Sequence, residues 1–114
     1  MSALITIRKL PSLHVVRAGG AVLGESTDVL ELTEDGHAPV IYFPRSDIAM
    51  AFLDESDTTS HCPHKGDASY FSIVTKSKTI TDAAWSYEAP LEDVARIAGH
   101  LAFYSNDEVT VEAL

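Results

Sequence analysis

The chain has 114 residues, 46% of them hydrophobic and 22% charged, with a net charge of −9 from 8 basic and 17 acidic residues. This length suits one ordinary domain with a single core. Nucleic-acid binding draws most of its affinity from Lys and Arg on phosphates, so the acidic balance argues against DNA or RNA partners and against an anionic membrane surface.

Short strands dominate the predicted secondary structure. The pair Gly19-Gly20 favours a hairpin turn, because glycine reaches positive φ without steric cost. Residues 40–43 are β-branched and aromatic, as strand residues tend to be, and Pro44 closes this segment. In chain order, strands are predicted over residues 12–17, 21–25, 29–33, 40–43, 69–75, 79–85, 101–104 and 109–111.

The middle of the chain predicts one short helix and two loops. Ser46 suits the N-cap of a helix over residues 47–53. Residues 54–60 are polar and indicate a loop, with a change to strand near Thr59 as the alternative. Pro63 and Gly66 interrupt the following segment, which predicts a second, ordered loop.

The principal helix is predicted over residues 91–98. Pro90 stands at its start, acidic residues occupy its first turn and Gly99 marks its end. The i, i+3, i+4, i+7 spacing predicts its buried face, which consists of Leu91, Val94, Ala95 and Ala98. Many short strands with one late helix predict a mainly β, β-rich α+β fold: compact barrel- or tent-like antiparallel sheets with one principal helix, in a single domain over residues 1–114.

Cysteine usage and the start of the chain predict a cytoplasmic protein. The single Cys62 excludes an internal disulfide and the paired-cysteine zinc sites, and a chain without disulfides suits a reducing cytosol. Residues 1–8 have neither a long apolar core nor a small-residue cleavage site, so no signal peptide is expected. No apolar run approaches the roughly 20 residues that span a bilayer.

Four segments of the sequence resemble a known family. They are Tyr-Phe-Pro-Arg-Ser-Asp at 42–47, His-Cys-Pro-His-Lys-Gly-Asp-Ala-Ser-Tyr at 61–70, Trp-Ser-Tyr at 85–87 and Ile-Ala-Gly-His-Leu-Ala-Phe-Tyr at 97–104. In this order they are similar to the proteins of domain of unknown function 427, also labelled nucleotidyltransferase family 9. Phe71 stands where that family usually has Trp. The resemblance implies a compact β-rich fold and little about activity.

The chain lacks the sequence motif that is usual in nucleotidyltransferases. Polymerase-like nucleotidyltransferases carry a Gly-Ser element and a D-x-D pair that holds Mg²⁺ over the triphosphate. This sequence has neither, and the closest substitutes, Asp47, Asp67 and Asp82, are far apart in the chain. The sequence therefore leaves open whether the protein is an enzyme.

Two of the eight cations fall within the segments that carry the resemblance. Lys65 supplies a point charge for phosphate or carboxylate, and Gly66 lets the backbone approach a ligand closely. Together with Arg45 they predict a subsite for a small anionic ligand. The structural alternative is a set of ion pairs, Lys65 with Asp47 or Asp82 and Arg45 with Asp67.

Aromatic and titratable side chains complete the predicted site. Tyr70 and Trp85 are expected to line its apolar walls, although aromatic residues on strands also form core and cross-strand pairs. His61 is the best candidate for proton transfer near neutral pH. Asp67 and Asp47 are expected to orient the cations or to act as acid–base groups.

The side chains around Cys62 allow a metal or redox hypothesis. His61, His64 and His100 are donor types that zinc or iron prefers. Adjacent residues of an extended chain point to opposite faces, however, so one ion cannot easily use both His61 and Cys62, and no metal site is predicted. Cys62 is either a nucleophile, if His100 or Lys65 lowers the thiol pKa, or a buried inert side chain.

The sequence thus supports three hypotheses about function. The first is a binding or catalytic pocket for a small anionic molecule, framed by Arg45, His61, Lys65, Gly66, Asp67, Tyr70 and Trp85. The second is a non-enzymatic interaction module whose motifs mainly stabilise the fold. The third is a cysteine- or metal-dependent redox function. Substrate, cofactor and oligomeric state are not determined by the sequence.

We predict no measurable affinity for duplex DNA or RNA at physiological salt. Because the chain carries a net charge of −9, the release of counterions from phosphates contributes little to association. A gel mobility-shift assay at micromolar protein checks this prediction. A complex that forms and then weakens as salt is added would contradict it.

Overall fold

Antiparallel strands make up most of the computed structural model, which describes residues 4–114, so that Met1 to Ala3 lie outside the described residues. In chain order the strands are β1 Ile5–Lys9, β2 His14–Ala18, β3 Ala21–Ser26, β4 Leu30–Glu34, β5 Val40–Tyr42, β6 Leu53–Cys62, β7 Gly66–Val74, β8 Thr79–Ser86, β9 Ala102–Phe103 and β10 Val109–Ala113. They form sheets of order β1-β4-β5, β10-β2-β3 and β6-β7-β8-β9. The predicted mainly β, antiparallel class is confirmed, but as three sheets that do not close into one.

The hairpin predicted at Gly19-Gly20 is confirmed. The two glycines have φ of 55° and 86° and leave Ala18 paired with Ala21. A two-residue loop with positive φ at both positions matches the twist of the flanking strands. The sequence interpretation missed β1, which pairs along its whole length with β4.

The helix predicted over residues 47–53 is wrong. Two 3₁₀ turns, Arg45–Asp47 and Met50–Phe52, stand there instead. Between them Ile48 is extended, with φ −109° and ψ 137°, and forms a β-bridge with Gly24 of β3. This long-range pairing overrides the local signal for helix capping, since propensity is a weak constraint beside tertiary contacts.

The principal helical segment is a 3₁₀ helix, Glu92–Ile97, with a non-helical break at Val94 (φ −122°, ψ 26°). A 3₁₀ helix has three residues per turn, so positions i and i+3 lie on one line. Val94 and Ile97 are accordingly its buried residues. The other residues expected on the buried face of an α-helix are exposed, namely Leu91, Ala95 and Ala98. None of the helical segments within residues 4–114 is long and apolar enough to cross a membrane.

The loop predicted over residues 54–60 is also wrong, because all of these residues, and not only those near Thr59, belong to β6. β6 is an edge strand of the four-stranded sheet, and most of its side chains are exposed, so it lacks the apolar alternation that marks a half-buried strand. The second predicted loop is a tight turn over residues 63–65, because Gly66 already begins β7.

Two apolar clusters cover the two faces of the four-stranded sheet. The first contains Phe71 and Phe103, and the second contains Ala68 and Ala102. Neighbouring residues of β9 thus belong to different clusters, as expected when successive side chains alternate between faces. In the first cluster the rings of Phe43 and Phe103 meet edge to face, with centroids 5.9 Å apart and planes at 82°.

We predict that Gly24→Ala destabilises the protein by about 3 kcal/mol, the upper end of the range for overpacking. A Cβ at this position would lie 2.5 Å from the Asp47 carbonyl oxygen and 2.6 Å from Ile48 Cδ1, where β3 meets the bridge. Gly20→Ala is the matched control, because nothing lies within 4 Å of its added Cβ and only its φ of +86° is unfavourable. The control should cost about 1 kcal/mol. Urea denaturation measures the free energy of unfolding of both variants. Equal losses of stability would contradict the close approach of Asp47 and Ile48 to Gly24.

Candidate functional site

The register of the four-stranded sheet divides the predicted site residues between its two faces. Tyr70 pairs with Trp85 across β7 and β8, so both point to one face. His61 pairs with Asp67 across β6 and β7, and alternation directs both to the opposite face. Arg45 lies on the side of His61 and Asp67, because it covers the Phe71 ring. The predicted residues therefore do not converge on one pocket.

A cleft of about 420 Å³, here called the Lys65 cleft, lies between the end of β4, the start of β5 and the turn after β6. It combines apolar walls with several titratable side chains, and its volume is within the range of small-molecule sites. Its lining consists of Leu32, Glu34, His37, Ala38, Val40, Cys62, Pro63, His64 and Lys65.

Lys65 and Glu34 form a buried ion pair in this cleft. The Lys65 Nζ donates to Glu34 Oε1 at 3.0 Å, and the two side chains are only 14% and 8% exposed. The hydrogen bond from Lys65 lowers the pKa of Glu34 despite its burial. Burial is the largest single influence and would lower the pKa of Lys65, but the hydrogen bond to Glu34, together with the electrostatic effects of Cys62, Glu34 and Tyr42, raises that pKa. An ion pair was the expected alternative, but the predicted partners, Asp47 and Asp82, were wrong.

Backbone contacts hold Lys65 in this position. The Lys65 carbonyl accepts from the Leu91 amide at 2.9 Å, which ties the turn to the segment before the 3₁₀ helix. Gly66 has φ +111°, and a Cβ there would lie 3.5 Å from both the Ala89 carbonyl oxygen and Pro90 Cα. An added Cβ would thus be in ordinary van der Waals contact with residues 89–90, so the positive φ is the feature that favours glycine at this position.

Two histidines that the sequence analysis did not place in the pocket also line the Lys65 cleft. His37 is exposed in the segment between β4 and β5, and His64 is half-buried in the turn after β6. Both lie close enough to Glu34 to lower the pKa of its carboxyl, after the larger effects of Lys65. Three basic side chains thus surround one carboxylate. Nothing in the local sequence distinguishes His37 from any other polar turn residue.

Arg45 is held by contacts within the chain. Its Nη2 donates to both Glu88 carboxylate oxygens, at 2.7 Å and 2.9 Å, and its Nε donates to the Gly99 carbonyl at 3.0 Å. The guanidinium carbon lies 5.5 Å from the centroid of the Phe71 ring, within cation–π range. Arg45 thus links three segments of the fold. Its ionic partner is Glu88, and the expected partner Asp67 was wrong.

His61 and Asp67 form a hydrogen-bonded pair on the surface. His61 Nδ1 lies 2.7 Å from Asp67 Oδ1, and the side chains are 70% and 83% exposed. Such an exposed pair contributes little to stability, and neither side chain lines the Lys65 cleft. The acid–base role of these two residues stays a prediction.

A second cleft of about 430 Å³, here called the Trp85 cleft, adjoins the first. The Trp85 and Tyr104 rings stand 4.6 Å apart at a tilt of 46°. Trp85 Nε1 lies 3.4 Å from the Tyr42 hydroxyl oxygen, and the Tyr70 hydroxyl lies 3.0 Å from Ser60 Oγ. Burial, then a hydrogen bond with Tyr70, raises the pKa of Tyr104 to about 12. The lining consists of Ala38, Pro39, Val40, Ile41, Trp85, Phe103, Tyr104, Ser105 and Val111.

The acidic and metal-binding side chains of the described residues do not form a metal centre. Within residues 4–114 there is no group of three or more His, Cys, Asp or Glu side chains that could hold a metal ion. The Asp82 carboxylate instead accepts from the hydroxyls of Ser56 and Thr58 at 2.6 Å and 2.7 Å. Cys62 is a free, half-buried thiol in the wall of the Lys65 cleft.

Comparison with protein families confirms the resemblance seen in the sequence motifs. Residues 6–113 match the family described as domain of unknown function (DUF427). The match covers nearly the whole chain. A search of curated proteins found no match.

We predict that Lys65→Met lowers the free energy of unfolding by about 3 kcal/mol, because it leaves the buried Glu34 carboxylate without its partner. Adding Glu34→Gln to Lys65→Met should recover part of this loss, since the double variant buries no unpaired charge. Lys78→Met is the matched control, because its pair with Glu108 is 52% and 43% exposed. We expect that control to change stability by less than about 0.5 kcal/mol. Unchanged stability in Lys65→Met would contradict a buried pair.

The pH dependence of stability should report on Glu34. Its pKa is lowered in the folded state from an ordinary value of 4.5, so the unfolded chain binds this proton more readily. The stabilisation is therefore fully present above pH 4.5 and is lost as the pH falls through the lower folded pKa. Urea denaturation at a series of decreasing pH values should show that the free energy of unfolding falls more steeply for the natural protein than for Glu34→Gln. Parallel profiles would contradict this assignment.

Proposed function

We propose that the Lys65 cleft binds a small organic anion. The chain belongs to the DUF427 family, whose description assigns no activity. One observation carries this proposal. In a protein of net charge −9, three basic side chains, Lys65, His37 and His64, line one cavity of about 420 Å³. A local concentration of basic groups in an acidic protein favours a negatively charged ligand at that place.

The ion pair with Glu34 leaves Lys65 able to bind a ligand. An ammonium group carries three N–H donors, and the hydrogen bond to Glu34 Oε1 uses one of them. A ligand oxygen could accept from the same nitrogen, with His64 as a neighbouring donor. Leu32 and Val40 supply apolar walls for the organic part of the molecule.

The Glu34 carboxylate narrows the class of anion. Glu34 Oε1 lies 3.0 Å from Lys65 Nζ, so its negative charge repels the charge of any anion that binds to the same nitrogen. The repulsion grows with the charge of the ligand, so a monoanionic carboxylate is favoured over a phosphate dianion or a triphosphate. We therefore propose a small carboxylic acid as the ligand of this cleft.

A second candidate function is an interaction module whose motif residues stabilise the fold. It is favoured by the contacts of Arg45 with Glu88 and Gly99, and by the hydrogen bond from the Leu91 amide to the Lys65 carbonyl. Under this hypothesis the motifs maintain the architecture and the Lys65 cleft binds no small molecule. Titration with a carboxylate separates the two candidates.

We predict that butyrate binds the natural protein while its neutral amide, butyramide, does not. Isothermal titration calorimetry measures both affinities. Glu34→Gln should bind butyrate about tenfold more tightly, a gain of about 1.4 kcal/mol, because the repelling carboxylate is gone and the butyrate carboxylate becomes the ionic partner of the Lys65 ammonium group. His64→Gln should bind it more weakly without loss of stability.

Lys78→Met again serves as the control, because it removes one exposed cation outside the cleft. Its affinity for butyrate should equal that of the natural protein. Equal affinities for butyrate and butyramide would contradict the anion site. If neither butyrate nor butyramide binds, the interaction module is the favoured function.

A further inference from the structure

We propose that the Trp85 cleft binds a planar aromatic ring belonging to the same ligand whose carboxylate occupies the Lys65 cleft. This inference rests on the proposed function and narrows the ligand class to aromatic carboxylic acids. Three features carry it: the two lining residues that the clefts share, the partly exposed pair of aromatic rings, and the contrast in chemistry between the two linings.

The two clefts adjoin at the start of β5. Ala38 and Val40 line both of them. Each cavity is small, about 420 Å³ and about 430 Å³, so each lies near the lower end of the range for complete ligand sites. A molecule that passes over Val40 would reach both, with one group in each cleft.

The Trp85 cleft presents aromatic faces that the core does not cover. Tyr104 is 46% exposed although its ring lies 4.6 Å from that of half-buried Trp85. The contact between Trp85 Nε1 and the buried Tyr42 hydroxyl, at 3.4 Å, restrains the indole. Aromatic pairs are stable with centroids about 4.5–7 Å apart in offset or tilted arrangements, so a flat ring can extend this pair.

The linings of the two clefts differ in chemistry. Among residues 4–114, apolar, aromatic and hydroxyl side chains line the Trp85 cleft, including Ile41, Phe103 and Val111. The Lys65 cleft instead contains Glu34 and three basic side chains. A ligand that complements both has a flat apolar end and a charged end, which describes an aromatic acid better than an aliphatic one.

Trp85 is the only tryptophan of the chain, so tryptophan fluorescence reports on this cleft alone. The test titrates three probes: phenylacetate, its saturated analogue cyclohexylacetate, and its neutral amide phenylacetamide. Phenylacetate should change the Trp85 emission and bind about tenfold more tightly than cyclohexylacetate, equivalent to about 1.4 kcal/mol of ring stacking. Phenylacetamide should bind more weakly than phenylacetate, because it lacks the charge.

Tyr104→Leu keeps apolar bulk at the cleft but removes the ring. This variant should bind phenylacetate only as tightly as cyclohexylacetate. Its affinity for cyclohexylacetate should equal that of the natural protein. Phe52→Leu is the matched control, since Phe52 has a similar exposure of 45% and lines neither cleft. That control should bind all three probes as the natural protein does.

Each remaining outcome overturns a different statement. Equal affinities for the two carboxylates, with the Trp85 emission unchanged, would refute the aromatic subsite and leave the anion site standing. Equal affinities for phenylacetate and phenylacetamide would refute the link between the clefts. No binding of either carboxylate would refute the proposed function and, with it, this inference.

Discussion

The buried ion pair between Lys65 and Glu34 is the interaction on which the rest of the candidate site depends. It joins the turn after β6 to the end of β4, and so connects the four-stranded sheet to the sheet of β1, β4 and β5. A charge this poorly exposed must keep its partner, because an unpaired ion in a low-dielectric environment is costly. Together with the hydrogen bond from the Leu91 amide to the Lys65 carbonyl, the pair holds the turn against the end of β4, and the cleft lies between these two segments.

Alternation along the strands then determines which motif residues share a surface. The segment of residues 61–70 looks like one functional motif in the sequence, yet its members have separate roles. Cys62 and Lys65 line the cleft, Gly66 packs against residues 89–90, and His61 with Asp67 lies on the other face of the sheet. The side chains of adjacent residues in a strand point in opposite directions, so residues that are neighbours in the sequence can lie on opposite faces of the sheet.

Much of the fold was predictable because its signals are local. The paired glycines at the β2–β3 turn need positive φ, and strands such as β5 and β8 carry the β-branched and aromatic residues that favour extended backbone. The errors arose where distant residues decide the conformation. Ile48 is extended because Gly24 pairs with it, and β6 is a strand because β7 pairs with it, although neither segment carries a strand pattern of its own.

By itself the sequence determined the antiparallel β class, the principal turns and the family, because these depend on local backbone preferences and on residue order. It also singled out Lys65 and Trp85, whose residue types are scarce in this chain. Only the tertiary structure decided that Glu34 is the partner of Lys65, that Arg45 binds Glu88, and that the two clefts adjoin at Val40. Those contacts join residues tens of positions apart, and they depend on sheet register and on the packing between sheets, which no local pattern of residues encodes.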